Sequence, residues 1–385
     1  MQPRMNTNRH ESSMLNAADF RKRFFPQAAR RDWDDWHWQI QNRFCDRKGL
    51  EAFLHLSMDE QKALDGQNLR LPVAVTPYYA SLLDPGHPQQ ALRRTVIPVT
   101  GEWAKARGER IDPLGEDAHN PVGSIVHTYP DKVLFLVTDQ CPSYCRFCTR
   151  SRAVGQGRFP PDRARWEEAL SYIESTPTIR DVLLSGGEPL TLEDDRLEWL
   201  LRRLRRIPHV DLIRIGTKAL SSLPQRVTPA LAKMLRRYHP LWMSVHFVHP
   251  DELTPESARA CARLVDAGIP LCSQTVLLKG VNDDALTLKQ LMLGLLRFRV
   301  KPYYLHQGDA VAGTAHFRTS VARGQDLIRA LHGHTTGYAV PAYMIDAPGG
   351  GGKVPVAPGY IRGRKGKTLL LDNYQGKPYR YTEGD

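Results

Sequence analysis

The sequence predicts an α/β fold built on a parallel sheet, either doubly wound or curved into a barrel. Two observations carry this. Between residues 132 and 307, six short apolar runs alternate with five longer segments of helical spacing, and such alternation marks parallel βα units. Polar, glycine-rich and metal-capable residues then fall at one end of nearly every run, and in βα barrels the strands' C-terminal ends carry the chemistry.

The elements follow in order. Residues 16–120 read as a helical and looped region that wraps the rest, with helix-like spacing over 32–44 and 50–64 and a turn after 76–85. The strands are expected at 132–139, 181–187, 211–218, 241–247, 269–278 and 300–307. The intervening helices are expected at 163–175, 193–207, 228–238, 254–268 and 284–298, with Thr254 placed to cap the fourth. "KTLLLDN" and "KPYRYTE" flank a turn at 374–376 and read as a late hairpin.

Composition narrows the class. The chain has 385 residues, 41% of them hydrophobic and 24% charged, an ordinary balance for a folded, enzyme-like protein. The apolar runs, such as "VLFLV" at 133–137, are strand-sized and far short of a membrane span. The first residues are polar, without an apolar stretch of signal type, so a cytoplasmic location is expected. The net charge of +12 permits binding to anions. The basic residues are scattered, however, and "RRLRRIPH" at 202–209 reads as a solvated helix face rather than a nucleic-acid patch.

Of six cysteines, Cys141, Cys145 and Cys148 form C-x3-C-x2-C directly after the first strand, while Cys45, Cys261 and Cys272 stand alone. This is no disulfide framework. A structural zinc site wants a fourth protein ligand, which would have to come from a remote histidine. An iron–sulfur cluster normally takes four thiolates, and three would leave one iron open. "SGGEP" at 185–189 ends the second strand. Its Gly186–Gly187 step lets backbone approach a ligand closely, and Glu188 could accept from a cation. "GGGGK" at 349–353 fails the phosphate-loop pattern at both ends, because Ala347 stands five before Gly352 and Val354 follows the lysine. It is either a flexible linker or a platform for a reactive lysine.

The cysteine motif resembles that of the radical S-adenosylmethionine enzymes. "TDQCPSYCRFCTRSR", "LPQRVTP", "HFVHP", "LLKGVND", "PYYLHQGD", "HFRT" and "DAPGGGGKVP" resemble the lysine 2,3-aminomutase family in order and spacing, across roughly 20–383. The resemblance implies a partial (β/α)6 radical SAM barrel over 121–335, an N-terminal helical region over 1–120, and a C-terminal segment with a hairpin over 336–385. It implies a [4Fe–4S] cluster on Cys141, Cys145 and Cys148. S-adenosylmethionine would lie against Gly186, Gly187, Glu188, His246 and Gln274, and pyridoxal 5′-phosphate would be held covalently by Lys353. Arg150 would take the substrate carboxylate, an arrangement suited to a bidentate fork. Asp309 and Asp346 would hold the distal ammonium of lysine.

The implied activity is the interconversion of L-lysine and L-β-lysine, in which a radical abstracts hydrogen and the amine moves from C2 to C3. The same chemistry on arginine, ornithine or glutamate stays open, as does β-lysine formation for elongation factor P. A basic iron–sulfur protein that binds RNA or shuttles electrons is the rival of another class, and the glycine–lysine segment speaks against it. The implied partners are an amino acid substrate and an electron donor of flavodoxin or ferredoxin type, with no membrane; a homo-oligomer stays open. Two departures stand out: "HTYPDK" at 127–132 has Thr128 and Lys132 where relatives carry arginines, and His306 replaces a tyrosine near the pocket wall.

Overall fold

The computed structural model describes residues 15–66 and 70–384. The polar N-terminal stretch lies largely outside them. Nine strands form the main sheet, in the order β1 (Ile125–Tyr129), β2 (Lys132–Thr138), β3 (Asp181–Gly186), β4 (Leu212–Thr217), β5 (Leu241–Val245), β6 (Leu271–Leu277), β7 (Val300–Gln307), β8 (Ala342–Ala347) and β9 (Gly352–Pro355). Strands β2 to β8 run parallel, and β1 and β9 are antiparallel edges. The six expected strands are β2 to β7, within two residues of their expected limits.

Two features differ from expectation. The parallel series continues through the helix Val321–Leu331 into β8, and β9 then pairs antiparallel with β8, so part of the expected C-terminal segment joins the barrel sheet. The sheet also begins one strand earlier, with β1. These edges meet, since the Tyr129 hydroxyl on β1 accepts from the Lys353 N–H on β9 at 2.7 Å. The late hairpin is present and gains a strand, giving a separate antiparallel sheet of β10 (Ile361–Lys365), β11 (Thr368–Asp372) and β12 (Pro378–Thr382).

The barrel helices form where their apolar spacing allows one buried face. In Asp194–Arg205, Leu197, Leu200, Leu201 and Leu204 are buried, the i, i+3, i+4, i+7 stripe of an amphipathic helix. Acidic residues open that helix and arginines close it, complementing its dipole. Thr254 caps Pro255–Asp266 by accepting from the Ser257 N–H, as its sequence position predicts. These faces and the strands share one core, with Phe135, Leu184, Ile215, Met243 and Leu291 fully buried.

The N-terminal region has its own core around Phe20, Trp33, Phe53, Tyr78 and Tyr79. Its two long expected helices are each broken. Asp35 accepts from the His37 N–H and starts Trp36–Gln41 afresh. Ser57 and Glu60 form a capping box that starts Met58–Asp65. Thr76 Oγ1 donates to Ser222 O at 2.8 Å, holding this region against the segment that follows β4. No helix among the described residues is long and apolar enough to cross a membrane.

Candidate active site

The three motif cysteines lie on the loop that follows β2, and the N-terminal region fixes that loop. Tyr144 N–H donates to Ala74 O at 3.2 Å and Arg146 N–H to Thr95 O at 2.8 Å. The Arg146 guanidinium donates to Leu71 O and Pro72 O and pairs with Glu102. Arg43 Nη1 donates to Cys141 O at 2.8 Å. Burial pushes all three thiols up, Cys145 to about 12; neighbouring thiols add to it at Cys141 and Cys145, and Glu116 at Cys148. Each also has a cation acting the other way: Arg43 on Cys141, Lys218 on Cys145, Arg150 and Arg70 on Cys148. Among the described residues no three ligating side chains gather closely enough for a single ion. A four-iron cube is wider than one ion, so three mutually interacting thiols beside cations fit a cluster better than closed tetrahedral zinc. Of the other cysteines, Cys45 is exposed and Cys261 buried.

The glycine pair at the end of β3 makes a close approach, but to its own chain. Gly186 has φ +120°, and a Cβ there would sit 2.3 Å from Thr138 O; a Cβ on Gly187 would sit 2.4 Å from Gln140 O. Glycine is therefore required to press this turn against the start of the cysteine loop. Glu188 is buried, and its carboxylate is fully engaged: Oε1 accepts from Leu190 N–H and Thr217 Oγ1, Oε2 from the N–H groups of Lys218 and Ala219. In this arrangement it organises the turn after β4 and has no free oxygen for a ligand cation.

The other expected residues collect at the C-terminal ends of the strands. Arg150 Nε donates to both oxygens of Glu116 at 2.9 and 3.1 Å, and Nη1 donates to Ser185 Oγ at 3.2 Å. Asp309, after β7, accepts from Thr149 Oγ1 at 2.8 Å. Burial and the nearby Asp346 charge raise its carboxyl to about 6. Asp346 on β8 receives Lys353 Nζ at 2.7 and 2.9 Å. Burial opposes its ionisation, but His306 and the Lys353 ammonium outweigh burial and hold Asp346 at about 2. His246, just beyond β5, is kept neutral, at about 3, by burial and then by Lys218, His306, Arg150 and Lys353. Gln274 sits partly buried on β6, paired with Tyr304.

The glycine run is not a slack linker. Gly349, Gly350 and Gly352 all have positive φ, which side chains rarely tolerate. A Cβ on Gly350 would strike the His119 ring at 2.2 Å. The run is packed between the 113–119 loop and Tyr129, and it delivers Lys353 to Asp346. Lys132, at one of the departures noted above, lies 4.3 Å from the Tyr129 ring centroid.

Sequence reading missed two members of this site. Glu116 comes from an irregular stretch with no period to read, and is buried against Arg150 and Arg152. Tyr129 becomes visible only once β1 and β9 meet.

This barrel and cysteine loop define a radical SAM enzyme, and the Radical SAM superfamily model matches residues 135–291. The model described as Lysine-2,3-aminomutase matches residues 328–385. The chain is 46% identical to L-lysine 2,3-aminomutase of Acetoanaerobium sticklandii, covering 94% of this chain and 88% of that one. It is 45% identical to the Clostridium subterminale enzyme of the same name, covering 94% and 89%. To glutamate 2,3-aminomutase of Clostridioides difficile it is 41% identical, covering 90% and 82%. The chain belongs to the lysine 2,3-aminomutase family. It is an isomerase of the radical SAM aminomutase type, working with an iron–sulfur cluster, S-adenosylmethionine, a small-molecule substrate and a reductant.

Proposed function

We propose that this aminomutase interconverts L-lysine and L-β-lysine with pyridoxal 5′-phosphate held on Lys353. The observation that carries the substrate assignment is the pair of partly buried carboxylates, Asp309 and Asp346, beside Lys353. Two carboxylates in a partly buried wall suit the distal ammonium of a diamino acid. A glutamate side chain would meet like charge there, which speaks against the activity of the Clostridioides relative.

In this reading Cys141, Cys145 and Cys148 ligate the [4Fe–4S] cluster. Gly186, Gly187, His246 and Gln274 border the S-adenosylmethionine site, and Glu188 shapes it through the turn after β4. When bound, the cluster and S-adenosylmethionine supply a hydrogen-abstracting radical, and pyridoxal phosphate supplies the carbonyl that carries the migrating amino group. Lys353 fits that cofactor: its amine is partly exposed and held by an ion pair to Asp346, and Tyr129 fixes its backbone. Arg150 turns its remaining N–H groups to the substrate carboxylate, and Glu116 sets its pose.

The N-terminal region to about residue 120 then serves as the brace of the cysteine loop. Residues 336–385 supply the Lys353 strand and the small sheet. An electron donor of flavodoxin or ferredoxin type and a cytoplasmic setting complete the reading.

The test is an anaerobic assay with lysine, arginine, ornithine and glutamate. A hydrogen bond to a charged group contributes roughly 1.5–3 kcal/mol. Asp309→Asn and Asp346→Asn should therefore each lower the preference for lysine by roughly one to two orders of magnitude, while S-adenosylmethionine cleavage changes far less. Wild-type turnover of glutamate as fast as lysine would remove the clamp. Glu116→Gln is expected to raise KM for lysine by roughly tenfold, as lost hydrogen bonds to a charged group do, with a smaller change in kcat. An unchanged KM would mean that Arg150 keeps its pose unaided.

A further inference from the structure

His306 uses one half of its ring and leaves the other bare. It lies on β7, three residues before Asp309, and is 8% exposed. Nδ1 stands 3.3 Å from Asp346 Oδ2. An ionised carboxylate can only accept, so Nδ1 carries the ring proton when the imidazole is neutral. Burial and then the Lys353 charge favour that neutral form against the opposing pull of Asp346. Nε2 is then a lone-pair acceptor. It is buried, and no described residue donates to it. A buried acceptor without a donor is costly, and this one sits beside Asp346 and within the electrostatic reach of Lys353 and His246.

We propose that His306 Nε2 is a third acceptor for the distal ammonium of the substrate, alongside Asp309 and Asp346. An ammonium has three N–H donors and no acceptor. Two carboxylates and one neutral imidazole can take all three without adding a third negative charge. Nδ1 steadies Asp346 from the same ring, so one side chain both positions a carboxylate and completes the cage. This inference rests on the lysine reading above and deepens it by adding a specificity residue.

The variants separate the two ring nitrogens. His306→Asn keeps a donor near Nδ1 and removes the Nε2 acceptor. His306→Gln places an amide oxygen near Nε2. Each is assayed anaerobically for kcat and KM with lysine, and for inhibition by norleucine, which lacks the distal ammonium. His306→Asn should raise KM for lysine by roughly tenfold or more with a smaller effect on kcat. Norleucine inhibition should be unchanged, and His306→Gln should recover most of the loss. An unchanged KM in His306→Asn, or norleucine weakened as much as lysine, overturns the inference and leaves the lysine reading standing. A wild-type enzyme that does not turn over lysine overturns both.

Discussion

Replacing Cys141, Cys145 or Cys148 singly with alanine is expected to abolish the cluster and with it all aminomutase activity. The three thiols come from one loop held by backbone contacts to Ala74 and Thr95 and by the Arg146–Glu102 pair. No other cysteine has that setting. Burial holds the free thiols protonated, and thiolate is the ligand form, so cluster assembly must release protons and should grow easier as pH rises. The cations beside each sulfur ease that step. Iron counting on anaerobically reconstituted protein reads the result. Cys45→Ala, Cys261→Ala and Cys272→Ala should keep their iron. Iron retained in Cys145→Ala and lost in Cys272→Ala would reassign the ligands.

Lys353→Ala is expected to lower activity by roughly 10³-fold or more, the scale on which a covalent catalytic group is lost, while the cluster stays intact. The two sites belong to opposite ends of the strand order, β2 and β9, and meet only through the fold. Removing the lysine also frees Asp346, which keeps its contact to His306. Borohydride reduction of the pyridoxal-loaded enzyme followed by peptide mapping should find the label on Lys353 in wild type and nowhere in the variant. Label on another lysine, such as Lys218, would defeat the assignment. Lys353→Arg is the companion variant. It preserves a cation for Asp346 and should be equally inactive, which separates loss of chemistry from loss of the ion pair.

Much of the barrel was legible because parallel strands buried on both faces read as short apolar runs. β2 is "KVLFLVT" with its last four residues buried, and no helix period fits it. The amphipathic helices were equally plain, as Leu197, Leu200, Leu201 and Leu204 show. β8 was not legible. "AYMIDA" is short, carries an aspartate and runs into proline and glycine, so its strand character comes from pairing with β7. The broken N-terminal helices were partly readable, since Ser57 and Glu60 form a capping box visible in sequence.

By itself the sequence determined the ligand-bearing chemistry of this protein: three thiols in register on one loop, a Gly–Gly turn, a lysine after four glycines. Those are local, because spacing along a chain dictates what one loop can present. Only the tertiary structure decided how the charges are shared. Glu188 reads as a free acceptor until Leu190 N–H and the end of β4 with its following turn supply four donors. The glycine run reads as slack until His119 and Tyr129 close on it. Asp346 meets Lys353 because β8 and β9 pair antiparallel with these two residues opposite each other, and Glu116 meets Arg150 across 34 positions of chain. Such partnerships depend on which strands become neighbours, and that is set by burial of the whole core rather than by any one segment.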